Sequence, residues 1–342
     1  MTRPRVIIVG CGSIAGGYDA GAREDEYPLS HAGAYRRHGG FDLLACVEPD
    51  GARRAAFMAR WGCASGAASM RELVGDGLEA DVVTICSPTV VHGEHLAAAL
   101  EFRPRLVVCE KPVTPTLEET RYWVERYEQA GVALLVNHTR RWDSAVVRVA
   151  HELRSGARGE LRCVTALYNK GLMNNGSHLA DALRMTCGEL SVVSAGKPRA
   201  DHFPSDPSVP FMLLSAAGVP VTANISHSVD FALFELQFVT SKGMLTMEGG
   251  GQRWRERSVV ASATFPGYRE VDRGVWRDGE YRAAMLAMVA NQYGFLVRSE
   301  PLACIGRDAL EAQQLCAAIR ASASAAHGTD RIQCSTQALT YD

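Results

Sequence analysis

Glu110-Lys111-Pro112 closes an apolar run, Leu106-Val107-Val108-Cys109, about a hundred residues after the stretch Gly10-Cys11-Gly12-Ser13-Ile14-Ala15. Gly10 and Gly12 permit a tight turn. They let the backbone approach a pyrophosphate held at a helix N-terminus, where unpaired N–H groups and the dipole favour negative charge. Ser13 and Ile14 carry that turn onward as further cofactor-binding candidates, and Ala15 takes the place of the third glycine. A lysine at the carboxyl end of a later strand in the same open sheet can reach the nicotinamide end of a dinucleotide placed this way. The chemistry implied is hydride transfer.

Glu48 extends the pattern. It follows the apolar run Leu43-Leu44-Ala45-Cys46-Val47, where an acidic side chain grips a ribose 2′-hydroxyl and repels a 2′-phosphate, so NAD is expected, with NADP as the variant. Arg53 and Arg54 weaken that preference only if they reach the ribose; the simpler reading places them on a solvated helix face. Glu48 lies 36 residues beyond Gly12, against a usual offset of about twenty from the fingerprint. The excess falls in residues 16–30, which hold three glycines, a proline and no helical period, and so read as a loop inserted into the first crossover. Such a loop could be a lid, a subunit contact or a tolerated surface excursion.

These residues need a scaffold. Arg5-Val6-Ile7-Ile8-Val9 reads as a central strand covered on both faces, and strands and helices alternate from there to about residue 140, as a doubly wound parallel sheet requires. The pattern predicts strands at 81–86, 105–109 and 132–137 and helices at 52–61, 69–74, 92–102 and 117–130. Beyond it, helices at 144–154, 178–187, 281–297 and 307–325 accompany strands at 160–169, 192–195, 211–216, 219–226, 234–240 and 243–247. Successive strands joined by short turns predict an α+β second domain on a largely antiparallel open sheet. The expected division is a dinucleotide-binding Rossmann domain over 1–140 and a substrate-binding and oligomerisation domain over 141–342. Substrate identity is expected to rest on loops at 168–175 and around 201–210, and on residues 249–280, whose Gly, Arg and Trp content gives no signature.

The glycine turn, Thr84-Ile85-Cys86-Ser87-Pro88-Thr89-Val90-Val91-His92, Cys109-Glu110-Lys111-Pro112, Asn137-His138-Thr139-Arg140-Arg141-Trp142 and, further on, Asn174-Asn175-Gly176-Ser177-His178 through Arg184 together resemble the Gfo/Idh/MocA oxidoreductases, the glucose-fructose oxidoreductase and inositol dehydrogenase family. The resemblance implies an NAD(P)-dependent enzyme acting on a secondary alcohol or ketone of a sugar, nucleotide sugar or cyclitol. It places Lys111 on the reacting oxygen, where a cation stabilises developing alkoxide charge. Glu110 then fixes the lysine or contacts cofactor ribose, Ser87 and Pro88 pack near the nicotinamide, and His92 caps or contacts from the next helix. His178 becomes the general acid-base, its imidazole titrating near neutrality, in a first helical turn whose dipole favours the neutral form. The family pattern has an aspartate four residues before that histidine. This chain has Asn174, which can orient a hydroxyl but cannot carry charge. Tyr168 and Lys170 could supply the missing acid-base or charge function, and one of Arg140 and Arg141, with Arg141 the candidate, faces the site mouth. Asp181 and Arg184 are expected to brace the helix. Two alternatives stay open: cleavage of glycosides on bound NAD with no net redox change, and a non-catalytic cofactor-binding regulator.

Composition bounds the rest. A net charge of -2 and 22% charged residues give no electrostatic case for nucleic acid or an anionic membrane, and the apolar runs are strand-sized. A cytoplasmic location is therefore expected, while the resemblance implies a small-molecule carbohydrate or cyclitol substrate and the broad sheet face of the second domain suggests a homo-oligomer, dimer or tetramer. Ten scattered cysteines form no C-x-x-C pair, so neither a metal site nor a disulfide framework is expected.

Overall fold

The computed structural model describes residues 3–23, 25–75 and 77–327. The β-branched opening run forms β1 (Arg5–Val9), followed by β2 (Asp42–Val47), β3 (Ser65–Ala67), β4 (Val82–Ile85), β5 (Leu106–Cys109) and β6 (Ala133–Val136). They make one parallel six-stranded sheet in the order β3-β2-β1-β4-β5-β6. Every residue of β4 and β5 is buried, as strands covered on both faces require. The crossovers carry α1 (His31–His38), α2 (Gly51–Trp61), α3 (Met70–Gly75), α4 (His92–Glu101) and α5 (Leu117–Ala130). Their ends follow local chemistry: Asp50 and Thr116 cap α2 and α5 by accepting from the N–H groups of Arg53 and Glu119, and Gly62 and Gly131 close them in the left-handed conformation.

The chain divides into two compact units. One runs to Trp142 and also takes in Arg282–Leu310; the other holds Asp143–Tyr281 and resumes at Glu311. The second unit contains α6 (Ser144–Arg154), β7 (Leu161–Tyr168), α7 (Gly176–Cys187), β8 (Leu190–Ala195), β9 (Arg199–Phe203), β10 (Asp206–Ser208), β11 (Phe211–Ser215), β12 (Pro220–Ile225), β13 (Phe234–Thr240), β14 (Gly243–Glu248), β15 (Arg253–Ala261), β16 (Arg269–Val271) and β17 (Val275–Asp278). Eight of these strands run in the order β16-β15-β14-β13-β7-β12-β11-β8 with β17 on β15, all antiparallel except β12 beside β7. The sheet is the largely antiparallel one expected.

Two segments go beyond the expectation. Residues 199–208 form the ribbon β9-β10 where a loop was expected, and residues 253–278, which carried no signature, extend the large sheet by three strands. Only Trp254 of β15 is buried, so this edge pairs through its backbone and shows no apolar period to read. The division is also discontinuous where a single boundary at 140 was expected. Helix α8 (Ala284–Arg298) returns to the first unit, burying Met285, Met288, Val289 and Leu296 in its core, before α9 (Gly306–His327). Nine described cysteines are free thiols, and Cys334 lies outside the described residues.

Candidate active site

In the first unit the glycine turn leaves β1 with Gly10 at φ 87°, its N–H donating to the Val47 carbonyl at 2.8 Å. A Cβ at Gly10 would meet the Cα and nitrogen of Ser87 at 2.8 Å, whereas one at Gly12 would meet nothing within 4 Å. The first glycine is demanded by chain packing; the second leaves open space beside the turn. Glu48 is 5% exposed and lies against the same turn. Its Oε2 accepts the Cys11 N–H at 3.0 Å and its Oε1 accepts the Asp50 N–H at 3.1 Å. An open hollow at Gly12, next to an oriented carboxylate at the end of β2, fits a dinucleotide. Arg53 and Arg54 are not merely solvated: Arg53 stands 3.6 Å from the Glu48 carboxylate and Arg54 donates to the Glu48 carbonyl.

The insertion resolves the odd spacing. His31 donates its N–H to Ile14 O at 3.0 Å and Ala32 to Ala15 O at 2.8 Å. In an unbroken helix those oxygens take the N–H groups of residues 18 and 19. Residues 31 and 32 stand in their place, so thirteen residues are inserted into one helix, and Glu48 is effectively 23 rather than 36 residues past Gly12. Asp19, buried, closes the loop by accepting from the N–H groups of Leu29 and Ser30 at 2.9 Å and from the Ser30 hydroxyl. Between loop, α1 and α2 lies a groove of about 750 Å³, whose Arg23, Arg36 and Arg60 are taken up by neighbouring carboxylate or carbonyl oxygens.

Ser87 follows β4 and shares a 2.7 Å hydrogen bond with His95, which the sequence reading missed; Pro88 is exposed beside it. His92, expected to cap or contact from the next helix, makes its contacts with the protein's own loops. It is fully buried, with Nε2 2.8 Å from Ser87 O and Nδ1 3.1 Å from the carbonyls of Pro112 and Val113, so it ties the loop after β4 to the loop after β5. Burial holds its pKa below the ordinary value. Lys111 is half-buried after β5, and its bond to Pro112 is cis. The neighbouring Glu110 Oε1 meets His31 Nε2 and Asn137 Nδ2, each at 2.7 Å. Burial works to raise the Glu110 carboxyl; the hydrogen bonds and charges of His31, Asn137 and Lys111 outweigh it and hold it below the usual carboxylate range. Arg141 is tied down: it pairs with Asp308 at 3.1 Å and donates to Ala303 O at 3.1 Å, which removes the basis for its facing a site mouth.

In the second unit a π-turn, Gly171–Asn175, runs directly into α7. Such one-turn widenings are frequent at functional sites. His178 is therefore eight residues into a continuous helical stretch, beyond the first turn where a dipole argument holds. The N–H groups of Met173 and Asn174 go to the buried Asp206 carboxylate at 2.9 and 2.8 Å, and Asn174 Nδ2 donates to Lys170 O at 3.1 Å. Lys170 takes a left-handed φ of 66°, its N–H donating to Asp201 at 2.6 Å. Asp201 and Asp206 had no motif to mark them. Tyr168 is a core residue: 0% exposed, its hydroxyl donates to Val209 O at 2.7 Å and accepts from Val209 N–H at 3.0 Å, and burial raises its pKa. The expectation that it reaches substrate is withdrawn. Asp181 is buried in α7, and Arg184 pairs with Glu311, consistent with bracing.

Residues 4–138 match the family described as oxidoreductases with an NAD-binding Rossmann fold. The Rossmann unit thus matches the Gfo/Idh/MocA oxidoreductase family. It is 35% identical over 106 residues to 1,5-anhydro-D-fructose reductase of Ensifer adhaerens, a match spanning only 31% of either chain. Across a longer stretch it is 27% identical to inositol 2-dehydrogenase 4 of Saccharopolyspora erythraea, over 69% of this chain and 74% of that one. The fold as a whole is that of the WlbA dehydrogenase of Bordetella pertussis, solved with NADH and UDP-GlcNAcA: TM-score 0.73, 18% identity, covering 94% of this chain and 97% of the other. The matched stretch takes in both the glycine turn and the residues after β5. None of the described helices is long and apolar enough to cross a membrane.

Proposed function

We propose that this Gfo/Idh/MocA chain is an NAD-dependent oxidoreductase moving hydride between nicotinamide and a secondary alcohol or ketone of a sugar, nucleotide sugar or cyclitol. One observation carries the reading. The glycine turn with its oriented Glu48, and Glu110-Lys111 after β5, stand at the carboxyl ends of strands in one parallel sheet, two positions apart across β4. The names of the relatives, a sugar reductase and an inositol dehydrogenase, support the substrate class. When bound, the nicotinamide accepts or returns the hydride. Lys111 donates a hydrogen bond to the reacting oxygen and stabilises its developing negative charge. His178 takes the hydroxyl proton during oxidation and returns it during reduction. Asn174 orients a neighbouring hydroxyl, with Lys170 at the head of the same turn.

Lys111→Met tests this. The variant should bind NADH while turnover on a sugar or cyclitol falls by about 10²–10³-fold, the scale of losing one oxyanion donor. Full turnover with the substitution in place would overturn the mechanism. The proposed location is the cytoplasm and the proposed assembly a homo-oligomer. Support for the assembly comes from one face of the large sheet, where Leu167, Met212 and Leu214 are exposed among threonine, asparagine and glutamine side chains.

A further inference from the structure

We infer that His31 is a positioning residue for the Glu110-Lys111 pair, and that the insertion exists in a form that delivers it; the inference rests on the proposed role of Lys111. Asp19 holds the N–H and hydroxyl of Ser30, and Ser30 caps α1 by accepting the Gly33 N–H, so the residue after Ser30 enters the helix from an anchored point. That residue is His31, 0% exposed, with Nε2 2.7 Å from Glu110 Oε1. Its Nδ1 is buried and has no hydrogen-bond partner among the described residues. A proton on Nδ1 would be stranded and would leave two acceptors facing each other at 2.7 Å; the proton therefore belongs on Nε2, which donates to the carboxylate.

Asn137, from the end of β6, donates to the same oxygen at 2.7 Å, and Thr139 donates to Asn137 Oδ1 at 3.1 Å, fixing the amide's orientation. Two donors, one from the first crossover and one from the end of β6, thus seize Oε1. Holding Oε1 from two sides fixes the plane of the carboxylate and so where Oε2 points. Glu110 remains ionised beside Lys111, and the lysine's ammonium keeps its counter-charge in one place. The other titratable groups around Glu110 are His92 of α4 and the thiols of Cys86 and Cys109 at the ends of β4 and β5. None of them donates to its carboxylate.

The test uses the full chain and two variants, His31→Leu, which removes the donor, and His31→Gln, which returns an amide donor. The Glu110 carboxyl is followed by carbon-13 NMR through a pH titration without substrate, and turnover is measured separately. Expected is a carboxyl titration displaced to higher pH in His31→Leu and near its original position in His31→Gln. Expected kcat falls by about 100-fold in the leucine variant, the cost of an ångström-scale misplacement, with recovery in the glutamine variant. A carboxyl that titrates identically in all three proteins overturns the pincer. A displaced carboxyl with unchanged kcat overturns its service to Lys111. Because the NMR readout needs no turnover, failure of the oxidoreductase reading, seen with Lys111→Met, is separable from failure of this inference.

Discussion

An alanine at position 10 would drive its Cβ to 2.8 Å from backbone atoms of Ser87 and hold a φ of 87° that a side chain disfavours. At position 12, a few ångströms along the same turn, the Cβ would enter open space. The two glycines look alike in sequence and are required for different reasons. Gly10→Ala should cost about 1–3 kcal/mol of stability from backbone strain alone, seen as a lowered Tm. Gly12→Ala should fold with unchanged Tm and lose NADH affinity, because the methyl occupies the hollow that fits a diphosphate. Equal Tm losses in the two variants would show that Gly12 is also there for packing. At this scale the candidate positions were legible: Gly10, Gly12, Glu48 and Lys111 all announce themselves by type and spacing. Tyr168 and His92 misled, because a polar side chain near a motif gives no sign of whether its polar atoms face inward until their partners are known.

At the scale of elements, the turn before α7 is held by carboxylates from a ribbon that sequence reading took for a loop. Asp201 accepts the Lys170 N–H at 2.6 Å, the Ser208 hydroxyl at 2.7 Å and the Ser228 N–H at 2.8 Å. Burial alone would raise its carboxyl; these hydrogen bonds prevail and lower it from the ordinary 3.8 to about 2. The folded state therefore prefers the ionised form, and the stability this contributes is complete above pH 3.8 and lost as pH falls through about 2. Asp201→Asn should flatten that part of the acid limb in pH-dependent unfolding measurements and lower stability at neutral pH. An unchanged acid limb would show that the hydrogen bonds do not favour the carboxylate. The insertion belongs to the same scale. Its length and glycine content marked it as a break in the first crossover, but only the bonds from His31 and Ala32 back to Ile14 and Ala15 show it spliced into one helix.

For the whole molecule, α8 decides the boundary of the first unit. Gln292 accepts from the Tyr35 hydroxyl at 2.7 Å, Asn291 from the Trp142 indole at 3.1 Å, and four apolar side chains of the helix join the Rossmann core. Four such side chains, at about 1.5–3 kcal/mol each for full burial, amount to as much as a domain's whole net stability of about 5–15 kcal/mol. A chain ending at Tyr281 should therefore fail to give a cooperative unfolding transition for its first 142 residues and should not bind NADH. A sharp transition with intact NADH binding would show that the N-terminal unit stands without this helix.

What the sequence by itself determined is local: the β-branched strands, the caps and left-handed glycines that end the helices, the glycine turn, and the acid and lysine at strand ends. Each follows from a side chain acting on its own few neighbours in the chain. Only the tertiary structure decided that α8 returns to the first unit, that residues 253–278 pair as sheet, that Asp206 takes the N–H groups of the turn carrying Asn174, and that His31 meets Glu110. Those facts join residues 30 to 260 positions apart or rest on backbone hydrogen bonds, and neither leaves a period or a spacing in the sequence.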